Sequence, residues 1–180
     1  ITKYVKVGEN TIFVIAEDDV RSRQQPSGKQ SGQYYSEGCA YTRTTGIWQT
    51  VWLEFLPDTY IRNAKYYSDI HNETLTIIGN VRGSGEVCAK AFFEGNPMGI
   101  ARVKASNSVF SMQIKLSELH LWEPGKGGLY DLELTFGEDN IKSYFGMRSV
   151  HIDGTRFLLN NKPVFQRFVL DQGYYPDGIY

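Results

Sequence analysis

From Phe110 to Leu116 the chain alternates without a break: Phe110, Met112, Ile114 and Leu116 are apolar, while Ser111, Gln113 and Lys115 between them are polar. Only an extended backbone places successive side chains on opposite faces, so this run reads as a strand with one face buried and one wet. A helix, at about 3.6 residues per turn, would scatter the same residues around its axis. The period recurs in Tyr130, Leu132, Leu134 and Phe136, set between Asp131, Glu133 and Thr135. It recurs again in Leu75, Ile77 and Val81 around Gly79, between Thr74, Thr76 and Asn80. Sheets that are wet on one side are antiparallel.

Two further runs, Glu86 to Phe93 and Met98 to Ala105, extend the series. The turn signals between the runs are Asn72-Glu73, Arg82-Gly83-Ser84-Gly85, Gly95-Asn96-Pro97, Ser106-Asn107 and Glu138-Asp139-Asn140. Short strands at such spacing predict one seven-stranded, immunoglobulin-like antiparallel β-sandwich from about Phe55 to about Arg148. Composition agrees: 36 β-branched residues (12 Val, 13 Ile, 11 Thr) stand against 19 Ala and Leu (7 and 12), a balance that favours strands over helices. Lys115 to Trp122 is the single stretch that reads as a turn of helix, with Ser117 placed to cap it.

Outside this core the pattern is thinner. Thr11 to Ala16 is predicted as a short strand, and the polar stretch Glu17 to Tyr35 as a long loop. Trp48, Val51, Trp52 and Leu53 read as an aromatic-rich strand leading into the sandwich. Phe157 to Phe165 reads as a small hairpin turning at Asn160-Asn161, followed by a strand from Phe165 to Leu170.

Several functions are excluded. Lys and Arg number 19 against 20 Asp and Glu, a net charge of -1, so there is no basic field for nucleic acid or anionic lipid. No run of eighteen apolar residues exists to span a membrane. The first residues lack the order of a signal peptide, and the compartment stays open with a lean toward the cytoplasm. Cys39 and Cys88 lie 49 positions apart with no ligand-like neighbours; Cys88 reads as a buried thiol. His71, His120 and His151 stand alone in sequence and read as surface or edge residues, so no metal site and no cofactor is expected. Gly125-Lys126-Gly127-Gly128 lacks the strand-then-helix setting of a phosphate loop.

Four segments in order carry a resemblance. Gly46-Ile47-Trp48-Gln49-Thr50-Val51-Trp52-Leu53-Glu54 is similar to the end of the sugar-binding jelly roll of glycoside hydrolase family 2. Leu121-Trp122-Glu123-Pro124 followed by Leu129-Tyr130-Asp131-Leu132 resembles that family's Leu-Trp-x-Pro…Leu-Tyr signature. Tyr144-Phe145-Gly146-Met147-Arg148 resembles its last sandwich strand. Phe157-Leu158-Leu159-Asn160-Asn161-Lys162-Pro163-Val164 resembles the hairpin that opens its catalytic barrel, with Asn161 where Gly is usual. Asn tolerates the left-handed position such a turn needs.

The resemblance implies an internal part of a longer glycosidase acting on β-galactosides, β-glucuronides or β-mannosides. Residues 1–54 would be the tail of the jelly roll, 55–150 the sandwich, and 151–180 the start of a (β/α)8 barrel. The sandwich would pack against both neighbours, and the β-glycoside substrate would be met by the longer enzyme. Retaining hydrolysis needs two carboxyl groups roughly 5 Å apart, and the family carries both on later barrel strands, the acid/base directly after an Asn. Asn72-Glu73 mimics that dipeptide but falls in a turn; Asp131 and Glu133 fall on a wet strand face. The chain alone is therefore expected to be inactive. Asp171, Tyr175 and Asp177, after the first barrel strand, become candidate residues of the active-site rim. Trp48, Trp52 and Trp122 read as junction or core residues ahead of sugar-stacking ones. The alternative reading is a free-standing carbohydrate-binding or adhesion sandwich.

Overall fold

The computed structural model describes residues 1–171 apart from 20, 23, 25, 26, 48 and 107. Contacts divide the chain into two units, Glu54–Arg167 and Ile1–Leu53 with the described part of Phe168–Tyr180. The first unit holds every described strand: β1 (Tyr60–Asp69), β2 (Thr74–Arg82), β3 (Glu86–Phe93), β4 (Asn96–Lys104), β5 (Val109–Lys115), β6 (Leu129–Phe136) and β7 (Asp139–Gly146), then the short β8 (Val150–Asp153), β9 (Arg156–Leu159) and β10 (Lys162–Pro163).

The first seven strands form two antiparallel sheets, ordered β1-β2-β5 and β4-β3-β6-β7. This is the immunoglobulin-like sandwich expected from the alternation. In the constant-type arrangement the fourth strand joins the sheet of the first two; here β4 pairs with β3 instead. It still closes one seam, because the Ser117 N–H donates to the Met98 carbonyl at 2.8 Å.

The period-two residues fill the space between the sheets. Leu75, Ile77 and Val81 of β2, with Phe110, Met112, Ile114 and Leu116, are buried in one cluster with Val87, Ala89 and Ala91 of β3 and Tyr130, Leu132, Leu134 and Phe136 of β6. Large and small alternate across the pairing, Ala89 beside Leu134 and Ala91 beside Leu132. Each large side chain so buried contributes about 1.5–3 kcal/mol. The outward residues form rows of opposite charge, with Glu133 between Lys90 and Lys142. Cys88 is buried, as its apolar setting implies, and Cys39 is exposed.

Tyr130, 0% exposed, carries the core's main polar anchor. Its hydroxyl donates to the Glu118 carbonyl at 2.8 Å and accepts the His120 N–H at 2.7 Å. The bonds pin the segment after β5, and the His120 ring stacks on Phe93 with centroids 3.8 Å apart. Tyr130→Phe should lose about 1–3 kcal/mol in urea unfolding, since the His120 N–H is left unmatched. Burial, before any other cause, pushes the phenol above its ordinary 10.0; the Glu118 and Glu73 carboxylates add to the rise and the His120 N–H opposes it. The folded chain thus holds this proton more tightly than the unfolded one. Stability intact below pH 10.0 should decline as pH rises through the folded value, and the decline should be shallower in Tyr130→Phe.

Four expected elements are absent among the described residues. Lys115 to Trp122 is not helical: the Leu116 N–H goes to the Glu73 carbonyl and the Ser117 N–H to that of Met98, so neighbouring strands take the amides that a helix would use. Thr11 to Ala16, Val51 to Leu53 and Phe165 to Leu170 are not strands either, and Phe13, Trp52, Phe165 and Leu170 are exposed. An apolar run becomes a strand only where another strand accepts its backbone. Among its described residues the second unit offers single bridges, Gln30 to Tyr41 and Glu37 to Ala40. No described helix is long and apolar enough to cross a membrane.

Candidate functional site

The predicted rim residues fall at and beyond the end of the described chain. Asp171 is exposed at the end of the described chain; Tyr175 and Asp177 lie outside the described residues. Asn72-Glu73 is a turn. The Asp69 carboxylate accepts the His71 N–H at 2.9 Å, the Asn72 N–H at 3.0 Å and the Asn72 Nδ2 at 2.8 Å. These bonds, the Asn72 backbone first, hold the Asp69 carboxyl below 3.8. Glu73, at φ 50, pairs with Lys115 at 2.9 Å. Asp131 faces outward on β6, paired with Tyr144, and Glu133 lies between two lysines. Among the described residues no group of three His, Cys, Asp or Glu is placed to hold a metal.

The structure concentrates its polar order instead where β7 runs into the hairpin β8-β9-β10. Asn160 and Asn161 have φ 51 and 63, the left-handed pair of a two-residue hairpin turn, and Lys162 pairs with Leu159 across it. Asn161 therefore adopts the conformation for which the family's Gly is suited. Asn160, 6% exposed, donates its N–H to the Ser149 carbonyl at 2.9 Å and Nδ2 to the Trp122 carbonyl at 3.0 Å. Its Oδ1 accepts the Ser149 N–H at 3.1 Å. One buried amide thus ties the hairpin both to the end of β7 and to the Trp122 segment. The Trp122 N–H in turn donates to the Met147 carbonyl at 2.9 Å.

Beside this junction the two sheets part between the edge strands β1 and β7. The opening is a cleft of about 390 Å³ lined by Tyr66, Trp122, Leu129, Tyr144, Phe145 and Arg148, among others. The Arg148 guanidinium lies over the Trp122 ring, 4.8 Å from its centroid, and the Ser68 hydroxyl donates to the Arg148 carbonyl at 2.9 Å. Trp122 is half-buried, consistent with a junction role, whereas Trp52 is exposed and Trp48 lies outside the described residues. His71 and His151 are exposed and His120 is half-buried. The His120 Nε2 lies 3.3 Å from a Glu118 carboxylate oxygen without the alignment of a hydrogen bond.

Two antiparallel sheets in this order, closed by a buried polar joint to a hairpin, define an immunoglobulin-like β-sandwich with an appended joint. The profile of glycosyl hydrolases family 2 matches residues 59–148, 90 of the 180 positions, and the chain belongs to that family. It is 26% identical over 185 aligned positions to a beta-galactosidase of Thermoanaerobacter pseudethanolicus, an alignment covering 91% of this chain and 23% of that protein. Among solved structures it is similar to the beta-glucuronidase of Faecalibacterium prausnitzii, with 30% identity and a TM-score of 0.50 over 61% of this chain and 18% of that one. The beta-glucuronidase of Ruminococcus gnavus, at 22% identity and a TM-score of 0.52 over 61% and 18%, shows the same fold. The chain spans less than a quarter of the length of each of these relatives.

Proposed function

We propose that this chain is the sandwich-bearing portion of a family 2 glycosidase that hydrolyses β-linked glycosides with retention, and that its own part in that enzyme is bracing, not catalysis. The supporting observation is the family match itself, which falls on the sandwich and not on a carboxylate pair. Several of the chain's carboxylates are engaged structurally: Glu86 with Arg102, Glu73 with Lys115, Glu123 with Lys126, Asp153 with Arg156. Asp139 accepts the Ile61 N–H at 2.8 Å, joining β7 to β1. Paired surface carboxylates are poor candidates for an acid whose proton must move.

In the longer enzyme the residues before Glu54 would continue a sugar-binding jelly roll. Those after the hairpin would enter a catalytic barrel, with Asp171, Tyr175 and Asp177 near its rim. The Asn160 joint supports the bracing role, because it fixes the direction in which the chain leaves the sandwich.

The expected result is no release of p-nitrophenol by the 180-residue chain from β-galactoside, β-glucuronide or β-mannoside, and release by the uninterrupted reading frame from at least one. Turnover by the chain alone would overturn the non-catalytic role. A full-length product inert on all three would count against the glycosidase.

A further inference from the structure

We propose that the cleft between β1 and β7 binds a pyranose ring bearing a carboxylate, that is, an acidic sugar. At about 390 Å³ it falls within the range of small-ligand sites. Its floor is apolar, formed by Leu75 and Phe145, both buried. Tyr66, Trp122 and Tyr144 supply aromatic surface on which the C–H face of a sugar ring packs.

Ser68 is used internally, but the charged and phenolic groups of the cleft are not, among the described residues. Among the described residues Arg148 makes no ion pair, and its guanidinium carbon lies 4.8 Å from the Trp122 ring centroid. A guanidinium beside an aromatic ring keeps N–H groups for a carboxylate, which it can meet in bidentate fashion. The hydroxyls of Tyr66 and Tyr144 also have no partner among the described residues. A fork of donors and two phenols around an apolar floor suit a ligand that is a polyhydroxylated ring and also an anion. A simple aliphatic anion would leave the aromatic surface unused, and a neutral sugar would leave the guanidinium unmatched.

The platform is held before any ligand arrives. A Cβ on Gly146 would fall 3.1 Å from the Trp122 Cβ and 3.2 Å from its Cγ, so the absence of a side chain there lets Trp122 settle against β7. The Met147 and Asn160 bonds fix the Trp122 backbone at both its N–H and its carbonyl, and Ser68 fixes that of Arg148. Ordering cost is thereby removed from the binding step.

The test is an NMR titration of the 180-residue chain with D-glucuronate and D-galacturonate, with D-glucose, D-galactose and sodium acetate as comparators. The expected result is saturable shifts at the Trp122 indole and at Gly146, in the millimolar range, for at least one uronate. Arg148→Met should weaken them about tenfold or more, the factor that one charge-assisted hydrogen bond supplies. Tyr144→Ala should weaken them too, and the dispersion of its spectrum verifies folding for a variant that leaves Arg148 intact. The proposal is overturned if no shift saturates, if Arg148→Met binds as well as the parent chain, if the neutral sugars bind equally, or if acetate moves the same resonances at the same concentrations. No turnover is read, so this outcome is separable from the fate of the glycosidase reading.

Discussion

Substituting Gly79 by alanine should cost about 3 kcal/mol or more, the upper range for overpacking a filled core. Gly79 sits on the inward side of β2, between Ile77 and Val81, where the alternation calls for an apolar side chain. A Cβ built there would lie 2.3 Å from the Asn63 carbonyl oxygen and 2.6 Å from both Cε1 and Cζ of Phe110. Neither can yield cheaply. The Asn63 carbonyl belongs to β1, where the register shifts between Ile61 and Asn63. Phe110 is 2% exposed, its ring enclosed in the core. The Phe110 ring therefore occupies the space that a side chain at position 79 would take, and the glycine is part of the packing. Urea unfolding followed by tryptophan fluorescence measures the loss. A useful contrast is Gly154→Ala, which has open space around it but φ 61, and should cost only about 1 kcal/mol, the strain of one left-handed residue. If the two variants proved equally stable, steric exclusion at Gly79 would be the wrong explanation.

The same glycine shows what the sequence discloses and what it withholds. The alternation of β2, β5 and β6 made the inward faces legible, because burial of one face leaves its mark in every second residue. It could not disclose that Phe110 leans over Gly79, which depends on how β5 and β1 flank β2. The runs Thr11 to Ala16 and Phe165 to Leu170 are as apolar as the core strands, yet no described strand receives them. Hydrophobicity specifies a face that wants burial, and it does not specify a partner. Lys115 to Trp122 misled in the opposite direction, because Ser117 has the chemistry of a helix cap while its amide is claimed by Met98. For the site, the resemblance directed attention to Asp171, Tyr175 and Asp177. The organised groups, Trp122 over Arg148 and Asn160 between Ser149 and Trp122, come together only through the fold. Their one sequence signal is that Trp122, Arg148 and Asn160 all lie within the segments that carry the resemblance.

Asn160 offers the second large effect, because three hydrogen bonds and a left-handed backbone meet in one buried residue. In Asn160→Ala the Ser149 N–H loses its acceptor and the Trp122 carbonyl its donor, each worth about 1–3 kcal/mol when left unpaired and buried. The φ of 51 adds about 1 kcal/mol of strain that alanine tolerates poorly. Some repair by water is expected at a half-buried edge, so the net loss should be about 2–4 kcal/mol. Asn160→Gly removes the same side-chain bonds but not the conformational freedom, and should lose less than the alanine variant by about the strain term. Asn160→Asp keeps an acceptor for Ser149 and forfeits the donor to Trp122, placing it between the parent and alanine. Asn161→Gly, exposed and at φ 63, should be neutral or slightly stabilising. Amide exchange separates a local role from a global one. If Asn160 acts as a latch, the amides of β8 and β9 lose protection in Asn160→Ala far more than those of β2 and β6, whose bonds lie within the sandwich. Uniform loss across both groups would make Asn160 an ordinary contributor to the core and remove the structural basis for a fixed exit from it.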